Sequence, residues 1–369
     1  MKRKLLLYFC VLASHSLVAQ TIVSTKEENK NVVLEEFTGI LCSACPLGHA
    51  VAKGIQDENQ NDVFVIKIHA YNLAVPANDD QPDFRTSFGN KLANPADVNY
   101  FPSGTINRHI SPDLAIKEGK SGLDRSAWKS ATEIILGQTS YVNIGVDAEI
   151  NEKTRELTIH VEAYYTGNSP LSTNKLNVAL LQNNTKGFQI GPYGGNEYVH
   201  MRRLIHMITG LWGEDVTTTT KGSFIDKTYT YTIPADYNGV PAILKDLEVV
   251  AFIAEGKQEI ITGTNTFPSL SGNTTTSVNE IVNDGLSLNI FPNPVNDVLN
   301  VGFELEKLTS VKVHIYNITG SLIKTLSYGI LEASKQNLKF SVSELTQGMY
   351  YLSIDTGYEI TTKKIIVAK

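Results

Sequence analysis

Apolar positions along this 369-residue chain recur with two periods, and the change from one to the other divides it. Val32, Val33, Leu34 and Phe37 make a short strand-type run that Thr38 and Gly39 break. Pro46 then suits a first helical turn, where a missing N–H costs little, and Leu47, Ala50, Val51, Gly54 and Ile55 follow at roughly helical spacing. Residues 62–71, DVFVIKIHAY, are dense enough in β-branched and aromatic side chains to predict a buried strand beside the first. Residues 72–100 are rich in Pro, Asn and Asp, with one helix-compatible piece at 84–92, and read as a crossover with long loops. Leu123, Ala127, Ala131, Ile134 and Ile135 return to helical spacing between a Ser121 N-cap and a Gly137 stop, which closes an α/β unit.

From Tyr141 the period falls to two. Val142, Ile144, Val146, Ala148 and Ile150 alternate with polar residues, and Leu157, Ile159, Val161 and Ala163 repeat the pattern after a polar turn. Leu176, Val178 and Leu180, then 224–233 and 247–253, add strands for a β-sandwich of Ig-like size with no cysteine to staple it. Residues 264–284 are poor in apolar side chains and rich in Ser, Thr and Asn, as a linker is. Beyond them Val311, Val313 and Ile315, then Leu338 and Phe340, then Tyr350, Leu352 and Ile354, with turns at Thr319–Gly320 and Gln347–Gly348, predict a second small sandwich. The expected fold class is an α/β domain followed by two all-β, Ig-like sandwich domains. The expected boundaries are 26–137, 138–264, a linker at 265–284, and 285–369.

The N-terminus adds a compartment. Lys2, Arg3 and Lys4 precede an apolar run too short to span a bilayer, so residues 1–19 read as a cleaved signal peptide. Its removal takes three positive charges and moves the net charge from −6 to about −9, which argues against nucleic acid or an anionic surface as the main partner. No later apolar run is long enough to span a membrane. Removal of Cys10 with the leader leaves two cysteines, Cys42 and Cys45, in a compartment where disulfides persist.

Those two form a CxxC at the expected helix start. There the helix dipole and free N–H groups favour a thiolate at Cys42, and Cys45 is spaced to resolve a mixed disulfide. Residues 196–213, NEYVHMRRLIHMITGLWG, gather His200, Arg202, Arg203, His206 and Trp212. As ligands, His200 and His206 would have to meet His49 or His69, and the arginines could instead bind an acidic partner. The spacing matches no compact metal motif, so a strand and loop packing the sandwich on the first unit is the expectation, with no metal and no cofactor.

The segments VLEEFTGILCSACPLGH, IHAY and YFPSGTINR resemble the Omp28-related family of exported Bacteroidetes proteins, over residues from about 30 to 265, with an N-terminal part that is thioredoxin-like. The resemblance implies Cys42 as nucleophile, Cys45 as resolving cysteine and Pro102 as the cis proline that shapes a peptide groove; a trans proline in a turn is the alternative. Leu41 stands where thioredoxin-like proteins carry an aromatic residue, and no buried carboxylate is obvious as proton acceptor.

The C-terminal part resembles the type A sorting domain of the type IX secretion system, through Phe291, Pro292, Asn293 and Pro294, then 316–320, then Gly348, Met349 and Tyr350, and the ending KKIIVAK with Lys363, Lys364 and Lys369. That resemblance implies the type IX machinery and its C-terminal signal peptidase as partners, and a protein held on the cell surface or secreted. Three readings of the cysteine pair stay open. It exchanges disulfides with exported protein substrates, or it is a permanent staple in a surface binding or adhesion protein, or it binds a metal with His49 or His69.

Overall fold

A computed structural model describes residues 21–59, 61–272, 286–317, 322–356 and 360–369. The expected signal peptide, most of the expected linker and the expected 319–320 turn lie outside the described residues. The chain is mostly β and multidomain. It runs β1 (Val32–Thr38), α1 (Cys45–Glu58), β2 (Val63–His69), α2 (Gly89–Ala93), β3 (Ser103–Ile106), β4 (Leu123–Asp124) and α3 (Trp128–Leu136). Then come β5 (Val142–Asn151), β6 (Glu156–Tyr165), β7 (Asn174–Gln182), β8 (Thr185–Gln189), β9 (Gly195–His200), β10 (Arg203–Met207), β11 (Glu214–Val216) and β12 (Phe224–Thr232). The short pair β13 (Asp236–Tyr237) and β14 (Val240–Pro241) precedes β15 (Leu247–Glu255), β16 (Glu259–Thr266) and β17 (Ser269–Ser271).

One sheet crosses the boundary expected at 137/138. Its order is β16-β15-β7-β10-β2-β1-β3-β4, with β11 also on β7. The joint is β10, parallel to β2 through Arg203 and Lys67 and antiparallel to β7. One face of this sheet has two covers. At the β1–β2 end Val32, Leu34, Val63 and Val65 pack on Ala52 and Ile55 of α1 and on Trp128, Ala131 and Ile135 of α3. At the other end Val178, Leu180, Val249 and Ala251 pack on Ile150, Leu157, Ile159 and Val161 of the four-stranded sheet β12-β6-β5-β17, which completes a sandwich. The opposite face gathers Val33, Phe37, Phe64, Ile66, Ala179, Leu181, Val250 and Phe252 under Leu92 and Ala93 of α2.

Two local expectations shift. The piece expected helical over 84–92 is helical only over α2. The helix expected from Ser121 begins after Asp124, whose carboxylate accepts the Ser126 N–H and starts the turn, because residues 123–124 are drawn into β4. The C-terminal unit packs β18 (Asn289–Phe291), β19 (Val298–Glu304) and β22 (Lys335–Ser341) against β21 (Leu322–Leu331), β20 (Thr309–Asn317), β23 (Gly348–Asp355) and β24 (Ile360–Val367). Its core is apolar, with Leu299, Val301, Val313, Ile315, Leu352 and Ile365 fully buried.

Candidate functional site

Cys42 and Cys45 are joined in a disulfide with Cα atoms 5.3 Å apart. Helix α1 begins at Cys45 with Ala44 as its N-cap, so Cys42 stands two residues ahead of the cap, in the turn where its N–H bonds the Gly39 carbonyl. Cys45 is fully buried and Cys42 only 4% exposed. The Phe101–Pro102 peptide is cis, and the Pro102 ring lies against Gly48, where a Cβ would come within 2.6 Å of it. Gly48 is one helical turn beyond Cys45, so only a glycine lets the proline ring and the helix approach this closely.

A buried acid lies beneath that turn, where the sequence reading found none. Glu36 is fully buried on β1, its Oε1 sits 2.9 Å from where a Gly48 Cβ would be, and neither carboxylate oxygen has a hydrogen-bond partner. Burial raises its pKa to about 7, against the lowering influence of Lys67 and Arg202. Lys67 is its direct neighbour across the parallel β1–β2 ladder, and burial lowers that ammonium to about 8. Neither residue is singled out in the sequence, because VLEEF and VIKIH read there only as strand segments by their apolar residues. The signal was the period of two. Val32, Leu34, Glu36 and Thr38 share a face, as do Val63, Val65, Lys67 and His69, and the apolar members mark that face as the one under α1.

The polar ends of these strands meet in the seam between the two covers. His49 Nε2 lies 3.0 Å from the Thr38 hydroxyl and 3.7 Å from Glu36, and its Nδ1 is 2.7 Å from the Tyr198 hydroxyl. Burial holds His49 well below the usual histidine range, with Lys67, His200 and His69 acting in the same direction, so the approach to Glu36 is that of a neutral ring rather than an ion pair. His69 packs edge-on to Phe84 and 5.7 Å from the His200 ring. Burial lowers both of these histidines too, His200 to about 3. The Arg203 guanidinium lies 4.7 Å over the Phe84 ring. His206 is elsewhere, stacked on Tyr231, and Trp212 faces Arg108. Among the described residues no three His, Cys, Asp or Glu side chains converge to hold a metal.

The sorting-type residues, far apart in sequence, converge on β24. Asn293 donates to the Lys364 carbonyl and accepts from the Ile366 N–H, while the Val295 N–H bonds the Ile366 carbonyl. Gly348 and Tyr350 pair across β23–β24 with Val367 and Ile365, and Lys363 and Lys364 stand opposite Leu352 and Tyr351. The Phe291–Pro292 and Asn293–Pro294 peptides are cis, and the Lys369 ammonium donates to the Ser343 carbonyl. No described helix is long and apolar enough to cross a membrane.

Comparison with known proteins follows this division. Residues 289–368 match the family model of a secretion system C-terminal sorting domain, and residues 90–266 that of outer membrane protein Omp28. No curated protein matches. Among solved structures, HBP35 of Porphyromonas gingivalis aligns over 92% of this chain and 99% of its own, at 18% identity and a TM-score of 0.53, a likeness of fold. A domain of the outer membrane lipoprotein Omp28 from the same organism aligns over 36% of this chain and 91% of its own, at 18% identity and a TM-score of 0.26. This is an exported protein of the cell surface or outer membrane, carrying an Omp28-like region over 90–266 and a secretion-system sorting domain over 289–368.

Proposed function

We propose that the protein is a thiol-disulfide exchange protein delivered by the type IX route, with a thioredoxin-like unit over 26–137. The observation that carries this reading is Glu36, a buried acid poised near neutrality beneath the first turn of the CxxC helix. A buried carboxylate without a hydrogen-bond partner costs stability, and perturbed acids of this kind cluster at functional sites. A partner thiolate, formed as the first partner thiol gives its proton to solvent, bonds to Cys42 Sγ as the Cys42–Cys45 bond breaks. The electron pair leaves on Cys45 Sγ, which takes a proton from the Glu36 carboxyl. The partner's second thiol, once deprotonated, attacks its own sulfur of the mixed disulfide and frees Cys42, which with Glu36 regains its proton from solvent. Two electrons pass from partner dithiol to protein disulfide, which oxidises the partner, and the reverse sequence reduces a partner disulfide. Asn293, Gly348, Tyr350, Lys363, Lys364 and Lys369 serve the other task, presenting a C-terminal strand to the secretion machinery and its signal peptidase.

The test is a redox titration of the mature protein beside Glu36→Gln across pH 5–9. Exchange predicts a potential between about −270 and −120 mV and a reduction rate whose pH profile changes near 7 in the wild type only. A potential below about −300 mV with identical profiles overturns it. A second reading rests on the 4% exposure of Cys42, which suits a staple in a surface binding or adhesion protein.

A further inference from the structure

Strands β8 and β9 pair only with each other, outside the two large sheets, and their hairpin closes over the cysteine turn. The Gln189 amide, fully buried, donates to the Gly39 carbonyl at 3.2 Å and to the Cys42 carbonyl at 2.9 Å. Its neighbour's N–H, on Ile190, donates to the Ile40 carbonyl. Gly191, at φ +116°, sits so near Ser43 that a Cβ would come within 2.7 Å of the Ser43 carbonyl oxygen. At the other end of β9 the Tyr198 hydroxyl meets His49 of α1 at 2.7 Å. The segment between β8 and β9 has no register with any core strand, and Gly191 within it and Gly195 at the start of β9 both hold positive φ.

A hairpin held by a few polar contacts and by a small apolar patch, Phe188 on Ile40, Phe84 and Val240 with His200 on Phe84, and with no strand in the main sheet, opens locally at lower free energy than the core. Attack on Cys42 Sγ must come along the line of the breaking bond, with the electron pair leaving on Cys45. Little of Cys42 is open to any reagent while the hairpin is down. We propose that Gln189 determines what can attack the disulfide: together with Tyr198 it holds the β8–β9 hairpin shut over Cys42, and only a thiol partner that displaces the hairpin reaches the sulfur. The reading rests on the exchange function proposed above. It explains why a glutamine occupies a fully buried site between two loop carbonyls, to which its amide adds a second donor beside the Cys42 and Cys45 N–H groups.

The test reduces the full mature protein with tris(2-carboxyethyl)phosphine, an irreversible reductant that reads access whatever the potential, and with a thiol-terminated polyethylene glycol of protein size. Variants are Gln189→Met, which keeps the length but cannot donate to the carbonyls, and Tyr198→Phe, which loosens the far end and leaves the Gln189 contacts alone. Gln189→Met should speed phosphine reduction about tenfold or more, the effect of losing two buried hydrogen bonds of ordinary strength, and should narrow the difference between small and bulky reductants. Tyr198→Phe should speed it severalfold, with the equilibrium potential of both variants unchanged. Amides of 186–199 should exchange in the wild type orders of magnitude faster than those of β15. Rates within twofold of wild type for both variants, or a hairpin as protected as β15, would overturn the gate. A very negative potential with accelerated phosphine reduction would instead retain the gate and remove the exchange function.

Discussion

Glu35 and Glu36 are adjacent on β1, both buried, and the sheet gives them opposite surroundings. Glu35 faces away from α1 and α3, and Arg108 grips it with Nε at 2.8 Å and Nη2 at 2.5 Å while Thr105 donates at 3.1 Å. That guanidinium also lies 5.3 Å over the Trp212 ring and 5.4 Å over Phe252. Glu36 faces the seam and has no hydrogen-bond partner at either oxygen. The first carboxylate is part of what joins β1 to β3 and the loops beyond. The second is an expense in folding, repeated by the bare ring nitrogens of His69 and the unpaired Nε and Nη2 of Arg203 in the same seam. The carboxylate held by hydrogen bonds ties structure together, while the open one beside the cysteine turn is the candidate for taking or giving a proton.

The largest effect should come from breaking the paired side. Arg108→Met strands the Glu35 charge among apolar side chains and should cost about 3–5 kcal/mol, read from the urea midpoint. Adding Glu35→Leu should recover most of that loss, since a buried ion pair and an apolar pair of similar volume are often close in stability. A single variant that costs less than about 1 kcal/mol would mean that Glu35 does not depend on its partner, and the contrast would collapse.

A smaller effect should attend the disulfide. Closing so short a loop constrains the unfolded chain little, and the chain-entropy relation gives about 2 kcal/mol for Cys42–Cys45. Reduction followed by alkylation under denaturant, then refolding, should lower stability by about that amount. A loss of about 5 kcal/mol would make the pair a principal staple and favour the adhesion reading.

Local pattern made the elements legible. The runs at 32–37, 62–71, 142–150, 157–163 and 247–253 fall on β1, β2, β5, β6 and β15, and the segment after Pro46 on α1, because each is set by its own periodicity and punctuation. What local pattern did not carry was pairing over distance. Nothing in RRLIHM says that it inserts between β2 and β7, yet that insertion joins the first unit to the sandwich and creates the seam. The same holds for the hairpin, since Gln189 is an ordinary strand residue in sequence and acquires its role only by meeting the Cys42 carbonyl. Glu36 lay between these cases, because its face was readable from Val32 and Leu34, but its burial depended on a helix arriving above it.

The finest test of the contrast is the pH dependence of stability in Glu36→Gln. In the wild type two opposed contributions overlap. His49, His69 and His200, all lowered in the folded protein, are neutral there but bind protons when unfolded below about 6.5, so they raise stability as pH rises. Glu36, raised from 4.5 to about 7, does the reverse: between those values the folded state holds a proton that the unfolded chain has released, and stability falls as pH rises through the window. Glutamine removes only the second contribution. The variant's stability should therefore climb more steeply than the wild type's between pH 4.5 and 7, by up to about 1.4 kcal/mol per pH unit, the slope of one proton. Above pH 7 that contribution to the difference should level off, because Glu36 is then ionised in both states. Lys67, lowered to about 8, should begin to shed its proton at still lower pH once the carboxylate that favours its charge is gone. Urea titrations at half-unit steps from pH 4.5 to 8.5 would show both effects, and parallel curves from pH 4.5 to 7 would mean that Glu36 binds its proton as an ordinary glutamate does, leaving the seam without its acid.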